Sequence, residues 1–340
     1  MKLSSLIARF RRAASGGAAP AALAARGNGG GAAAPADDEA AGATAGEKGV
    51  GDDGGLMTET VRGTGSLASL EAGPFEVVAS VKSDVGCVRE INEDSVIYHR
   101  PPDAAALASK GVLLVVADGM GGHSAGEVAS GMAVELVRRL YYDSGSPAPD
   151  ALREAVEEAN RQIHAASLED EARHGMGTTC TSLAIAGGVA FAAHVGDSRL
   201  YMLRGGKIYL LTEDHSAVME LVKLGIITTE AARTHEDKNI ILRALGTSPE
   251  VEVSTLEPFP VRAGDRYLLC SDGLYDLVTD EEIERELAAL EDIHAAGERL
   301  IAMAKARGGH DNVTVGIIDL APEGAGVADA GETREWRVQG

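Results

Sequence analysis

Residues 111–117 read GVLLVVA, a run without a single polar side chain, and Asp118 follows it directly. A run this short and this rich in β-branched residues reads as a strand buried on both faces, because a half-exposed strand would alternate apolar with polar positions. An ionised carboxylate at the edge of such a core is unfavourable unless it is paired or holds a cation. The pattern recurs along the chain. Asp272 follows RYLLCS (266–271), Asp311 stands just before VTVGIID (313–319), and Asp94 stands just before SVIY (95–98). Each has a Gly or Asn beside it or close by, in Asn92-Glu93-Asp94, Asp118-Gly119, Asp272-Gly273 and Asp311-Asn312. One Asp-Gly pair is an ordinary turn. The repeated placement of acids at the ends of apolar runs points instead to a shared cation site. Oxygen-only ligands select Mg²⁺, Mn²⁺ or Ca²⁺ over zinc.

The elements around these runs alternate. Strands are expected at 75–81, 111–117, 179–186, 189–195, 200–204, 207–211, 251–256, 266–270 and 313–319. Helices are expected at 124–140, 150–173, 216–224, 229–234, 279–290 and 292–307. Gly187-Gly188 and Gly205-Gly206 mark hairpin turns, and Ser124/Glu127 and Thr279/Glu282 have capping-box spacing. Hairpins interleaved with helix pairs predict an α+β fold in which antiparallel sheets are covered by helices.

Residues 13–72 are Ala, Gly, Asp and Glu with almost no large apolar side chains, a composition that cannot offset its ordering entropy. Together with the basic residues 1–12 they are expected to be a disordered tail over 1–72, as is 321–340, which leaves 73–320 as one domain. The net charge of −21 argues against nucleic acid or anionic lipid as a partner. Cys87, Cys180 and Cys270 are scattered, so neither a zinc knuckle nor a disulfide framework is indicated, and a reducing cytoplasm fits. No apolar run is long enough for a transmembrane helix. The basic start, MKLSSLIARFRR, gives way to Ala/Gly rather than to the apolar core of a signal peptide. There is no P-loop, GxSxG elbow or HExxH.

REINEDS (89–95), ADGMGGH (117–123), GTT (177–179), HVGDSR (194–199), TEDHS (212–216), SDGL (271–274) and GGHDNVT (308–314) follow in order along the chain. This series resembles the motifs of bacterial type 2C, metal-dependent serine/threonine protein phosphatases over roughly residues 75–320. The resemblance implies a central antiparallel β-sandwich flanked by pairs of α-helices, with two Mn²⁺ or Mg²⁺ ions at one edge and a third, looser ion beside them. It implies that Asp118 bridges two ions and that the Gly119 carbonyl binds one. It also implies that Asp272 and Asp311 hold the first ion, and that Glu93 and Asp94 approach the second, partly through water. Asp197 matches the ligand of the third ion, with Asp272 and Asp276 beside it, and Arg89 matches the residue that grips the substrate phosphate. A mobile flap is implied at about 216–243. The chemistry agrees, because two ions can both supply a bridging hydroxide for in-line attack and neutralise oxygen charge, while Arg offers a planar fork to two phosphate oxygens.

Blander readings stand beside these. Arg89 precedes an acidic pair and fits a surface ion pair. His123 fits a helix cap as well as a general acid, since Met120 stands where some relatives carry a histidine. His215 and His310 adjoin aspartates and fit either orienting or plain loop roles, and His194 reads as structural. The expected function is a monomeric, cytoplasmic phosphatase acting on phosphoprotein substrates and opposing a serine/threonine protein kinase. The rivals are a catalytically dead metal-binding module and a phosphatase dedicated to one small stress regulator.

Overall fold

The computed structural model describes residues 75–121, 125–322 and 335–338, the last stretch as backbone. Its centre is the strand β3 (Val112–Met120), whose side chains divide between two cores. Leu113, Val115 and Ala117 pack with buried residues of helices α2 (Ala125–Asp143) and α3 (Ala148–Glu169). Val112, Leu114 and Val116 face a second core shared with the other sheet. Burial on both sides explains why the run carries no polar alternation.

β3 lies in a sheet ordered β12 (Glu335–Val338), β2 (Asp94–His99), β3, β5 (Cys180–Ala186), β6 (Val189–Val195), β9 (Ser254–Pro260), with the two-residue β4 (Gly177–Thr178) pairing with the end of β3. The other sheet is ordered β1 (Phe75–Asp84), β11 (Val313–Pro322), β10 (Arg266–Cys270), β7 (Arg199–Arg204), β8 (Lys207–Leu210). Every pairing is antiparallel. The outer face of this sheet packs on α6 (Asp272–Tyr275), α7 (Asp280–Ala289) and α8 (Ile293–Ala306) through Leu268, Cys270, Val315 and Ile317. The layers are therefore helix, sheet, sheet, helix, as the sequence predicts.

Gly187-Gly188 and Gly205-Gly206 all have positive φ, the signature of primed hairpin turns. Thr279 and Glu282 form the reciprocal capping box at α7. Ser124 lies outside the described residues, so the other proposed box does too.

Three local expectations are corrected. A helix α1 (Ala104–Lys110), capped by Asp103 Oδ2 on the Ala106 N–H at 2.8 Å, occupies a stretch given no element from sequence. The strand expected at 251–256 runs instead as Ser254–Pro260. β9 contains Pro258 and Pro260, which it tolerates because it is an edge strand and needs donors on one side only. Finally, the expectation that 321–340 is disordered fails for Glu335–Val338, which pair with β2. Trp336 and Val338 are strand formers at alternate positions, a signal masked by the surrounding Ala and Gly. Among the described residues, no helix is long and apolar enough to cross a membrane. Two short helices, α4 (Ala217–Lys223) and α5 (Thr229–Arg233), lie in the segment 216–243.

Candidate metal centre

Asp94 opens β2, and its register partner across the ladder is Asp118 of β3. The backbone of Asp118 is fully engaged. Its N–H donates to Thr179 Oγ1 at 2.8 Å, and its carbonyl accepts from Thr179 N and Thr178 Oγ1, both at 2.9 Å. Next in chain, Gly119 donates its N–H to the Glu93 carbonyl at 3.1 Å. A Cβ on Gly119 would lie 2.2 Å from the Gly126 carbonyl oxygen and 2.5 Å from that of Glu93, so only glycine lets β3, α2 and the loop before β2 meet here. The Glu93 carboxylate accepts a backbone hydrogen bond from Gly126 in the first turn of α2.

The other sheet contributes Asp272 and Asp311. Asp272 does not end its strand but opens the one-turn helix α6, and Ser271 is its cap. Ser271 Oγ donates to Asp94 Oδ2 at 2.7 Å and accepts from Thr314 N at 3.0 Å, so one hydroxyl joins the two sheets. Asp311 Oδ2 accepts from Arg89 Nη2 at 2.8 Å, while Arg89 Nη1 lies 3.9 Å from Glu93. Asn312 ties the loop before β2 in place. Its Nδ2 donates to the carbonyls of Val85 and Ile91, both at 3.0 Å, and its Oδ1 accepts from Glu93 N at 2.8 Å. Ser271 and Asn312 are functional supports missed from sequence. Both sit inside quoted motifs, but their partners are distant in the chain.

Asp197 lies in the turn between β6 and β7. It is buried, and its Oδ1 has no hydrogen-bond partner. Its carbonyl accepts from Tyr275 OH at 3.0 Å. The nearby Arg199 guanidinium is already committed: it forks onto Asp214 at 2.7–3.3 Å and lies 3.7 Å over the Tyr275 ring. His215 Nδ1 accepts from Gly196 N at 3.1 Å, and its ring stacks 4.8 Å from His194. His194 reaches Thr181 Oγ1 at 2.9 Å and the Glu213 carbonyl at 3.2 Å, a structural role. His123 lies outside the described residues.

Burial pushes the Asp94 carboxyl up to about 6, against hydrogen bonds from Thr314 and Ser271 that favour its charge. Burial and then the Asp214 charge raise Asp197 to about 7. Asp118 and Asp272 are raised well above the carboxylate range, first by burial and then by neighbouring aspartates. Glu93 is raised by burial, partly offset by Arg89. Mutually repelling buried carboxylates with an unpartnered oxygen among them are what a cation would relieve, and the donor set is all oxygen. The residues therefore fit hard divalent ions. Among the described residues, however, no three acidic, histidine or cysteine side chains converge at ligand distance. Ser271 holds Asp94 and Arg89 holds Asp311 instead. A cleft of about 700 Å³ beside β1 is no rival site, because its charged residues are paired with one another as Lys82–Glu298 and Lys305–Asp84.

A four-layer sandwich gathers these carboxylates from both sheets, an all-oxygen donor set of the class that suits hard divalent cations. The chain belongs to the protein phosphatase 2C family: the Protein phosphatase 2C family model matches residues 97–307. That range contains Asp118, Asp197 and Asp272. Arg89, Glu93, Asp94 and Asp311 lie beyond it: Asp94 pairs with Asp118 across the ladder, Asn312 holds the Glu93 backbone, and Arg89 bonds Asp311. The serine/threonine protein phosphatase PstP of Mycobacterium tuberculosis is 43% identical over 244 residues, covering 71% of this chain but only 44% of PstP. This chain thus matches less than half the length of that relative. The serine/threonine phosphatase stp of Listeria monocytogenes is 37% identical over 253 residues, covering 72% of this chain and 98% of its own. The crystal structure of the PstP catalytic domain in complex with two manganese ions superposes with a TM-score of 0.63 at 40% identity, covering 72% of this chain and 98% of that one.

Proposed function

We propose that this chain is a protein serine/threonine phosphatase that hydrolyses phosphoserine and phosphothreonine in proteins with two Mn²⁺ or Mg²⁺ ions. The observation that carries the reading is the crowding of Asp94, Asp118, Asp197 and Asp272 into one buried, mutually repelling set in a chain of this family. The manganese pair of the mycobacterial PstP is the model for the ions. Asp118, Asp272, Asp311, Asp94, Glu93 and the Gly119 carbonyl would hold two ions, and Asp197 a looser third. Bound there, the ions would neutralise phosphate charge and lower the pKa of a water.

Arg89 is the phosphate clamp in this reading. Its guanidinium is half exposed and lies against Asp311 and Glu93, so the fork can exchange a carboxylate for phosphate oxygens with little loss. Residues 73–320 carry all of this chemistry, and 216–243 is the flap. By family habit the chain opposes a serine/threonine kinase as a cytoplasmic monomer.

The test is turnover of a phosphothreonine peptide with Mn²⁺, with a chelator, and after Asp118→Asn. Chelation should abolish turnover. The substitution should lower it by at least on the order of a hundredfold, the scale of one lost transition-state charge stabiliser. Full turnover by Asp118→Asn would refute the reading, and tight phosphopeptide binding without turnover would favour the dead binding module.

A further inference from the structure

The loop before β2 holds two large apolar side chains in water on either side of Arg89. Val88 is 66% exposed and Ile91 43%. Their exposure does not come from a loose loop. Asn312 Nδ2 clamps the Val85 and Ile91 carbonyls, Cys87 N donates to the Gly309 carbonyl at 2.6 Å, and Gly86 N donates to Asp84 Oδ1 at 2.8 Å. Gly86 has φ +83°, and a Cβ there would lie 2.2 Å from the Asp311 carbonyl oxygen. The segment is fastened to the same Asp311–Asn312 pair that borders the carboxylates. A fixed loop that keeps Val88 and Ile91 out of the core leaves their apolar surface to be covered by something else.

We propose that Val88 and Ile91 form an apolar lip that binds side chains flanking the phosphorylated residue, so that the enzyme selects phospho-sites with apolar neighbours. This rests on the phosphatase reading and on Arg89 as its phosphate clamp. The occupant follows from position. Arg89 stands between Val88 and Ile91 in the same tethered loop and is half exposed, so the loop fits an occupant that brings an anion to Arg89 and apolar groups to its two neighbours. A phosphorylated polypeptide segment has that composition. Glu90, exposed between Arg89 and Ile91, repels acidic flanking residues and sharpens the preference. Covering part of one aliphatic side chain corresponds to about a three- to tenfold gain in kcat/KM.

The experiment uses the full chain with Mn²⁺ and two kinds of substrate. One is p-nitrophenyl phosphate, which has no flanking residues. The other is a set of phosphothreonine peptides with Leu or Gln at each flanking position in turn. The wild type should favour Leu at one or more positions by about three- to tenfold in kcat/KM. The double variant Val88→Ser/Ile91→Ser should lose that preference while keeping wild-type turnover of p-nitrophenyl phosphate and an unchanged melting temperature. A flat wild-type profile, or a preference that survives the double substitution, overturns the lip. So does parallel loss of p-nitrophenyl phosphate turnover, which would make the two residues structural. A wild-type dimer that the double substitution dissolves would assign the lip to a second copy and overturn it as well. Turnover of neither substrate by the wild type defeats the phosphatase reading and the lip with it, a result distinct from full small-substrate turnover with no peptide preference.

Discussion

Asp94 and Asp118 face each other as cross-strand partners on β2 and β3, and Ser271 from the opposite sheet fixes Asp94 by a 2.7 Å hydrogen bond. Two acids at directly opposed positions destabilise a sheet unless something compensates. Here burial raises both carboxyls, so each gives up its proton less readily than a free aspartate.

That gives a pH dependence with a definite sign. Asp94 and Asp197 titrate at about 6 and about 7 in the fold, against about 3.9 for an unfolded Asp. Between these limits the folded state holds protons that the unfolded chain has released. Their stabilisation is present at the acid end and is lost as pH rises through the folded values. His194 and His215 act oppositely. Burial lowers them to about 4 and about 3, so their contribution is lost as pH falls below the unfolded value of about 6.5. The rise in melting temperature on adding Mn²⁺ separates the two effects, because the ion binds deprotonated carboxylates and leaves the histidines alone. That rise should be larger at about pH 8 than at about pH 5.5. An equal rise at both would contradict the assignment of these carboxylates to the metal.

Asp197→Asn removes a buried charge whose Oδ1 has no partner. Thermal stability without added metal should therefore hold or increase, since an uncompensated desolvation is relieved. Turnover should fall at low Mn²⁺ and recover in part at high Mn²⁺, with two ions still bound by titration calorimetry. A cooperative loss of folding would mean that Asp197 is a structural acid.

Arg89→Ala should raise KM for a phosphopeptide more than it lowers kcat, the mark of lost uniform binding. Arg89→Lys should not restore it, because an ammonium lacks the fork. The melting temperature should scarcely move, since the Arg89–Asp311 pair is half exposed and worth under about 1 kcal/mol. An unchanged KM would make Arg89 a surface ion pair.

What was legible in the sequence was whatever depends on near neighbours. The run before Asp118 announced a strand buried on both faces, and the glycine pairs announced their hairpins. The candidate ligands Asp94, Asp118, Asp272 and Asp311 were legible because each adjoins such a run, whereas Glu93 and Asp197 were marked only by the family resemblance. Ser271 was not, because its partner Asp94 is 177 positions away and the contact exists only once two sheets stack. Asn312 was missed for the same reason, as its bonds reach back to Val85, Ile91 and Glu93. β9 was misplaced because edge position, which excuses its prolines, is a property of the whole sheet.

The segment 216–243 rests on α6 through two cationic side chains. Arg233 Nη2 donates to the Tyr275 carbonyl at 2.9 Å, and Lys238 is ion-paired with Asp276. Both contacts fall just beyond Asp272, so the segment is fastened to the helix that carries a candidate ligand. Across the base, Leu242 N donates to the His215 carbonyl at 2.7 Å and Ala217 N to the Ile240 carbonyl at 2.8 Å, which holds the ends of the segment independently of the lysine. Lys238→Met keeps most of the stem and deletes the charge. Asp276 then loses its partner while it still repels Asp197 and Asp272. The segment should open more often, and limited proteolysis within 216–243 should quicken while the sandwich stays intact. Asp276→Asn should do the same, and the double variant should be no worse than either single one. The cycle should give a coupling of about 0.5–1 kcal/mol for a partly buried pair. Additive effects, or cleavage no faster than in the wild type, would show that the backbone ties alone hold the segment down.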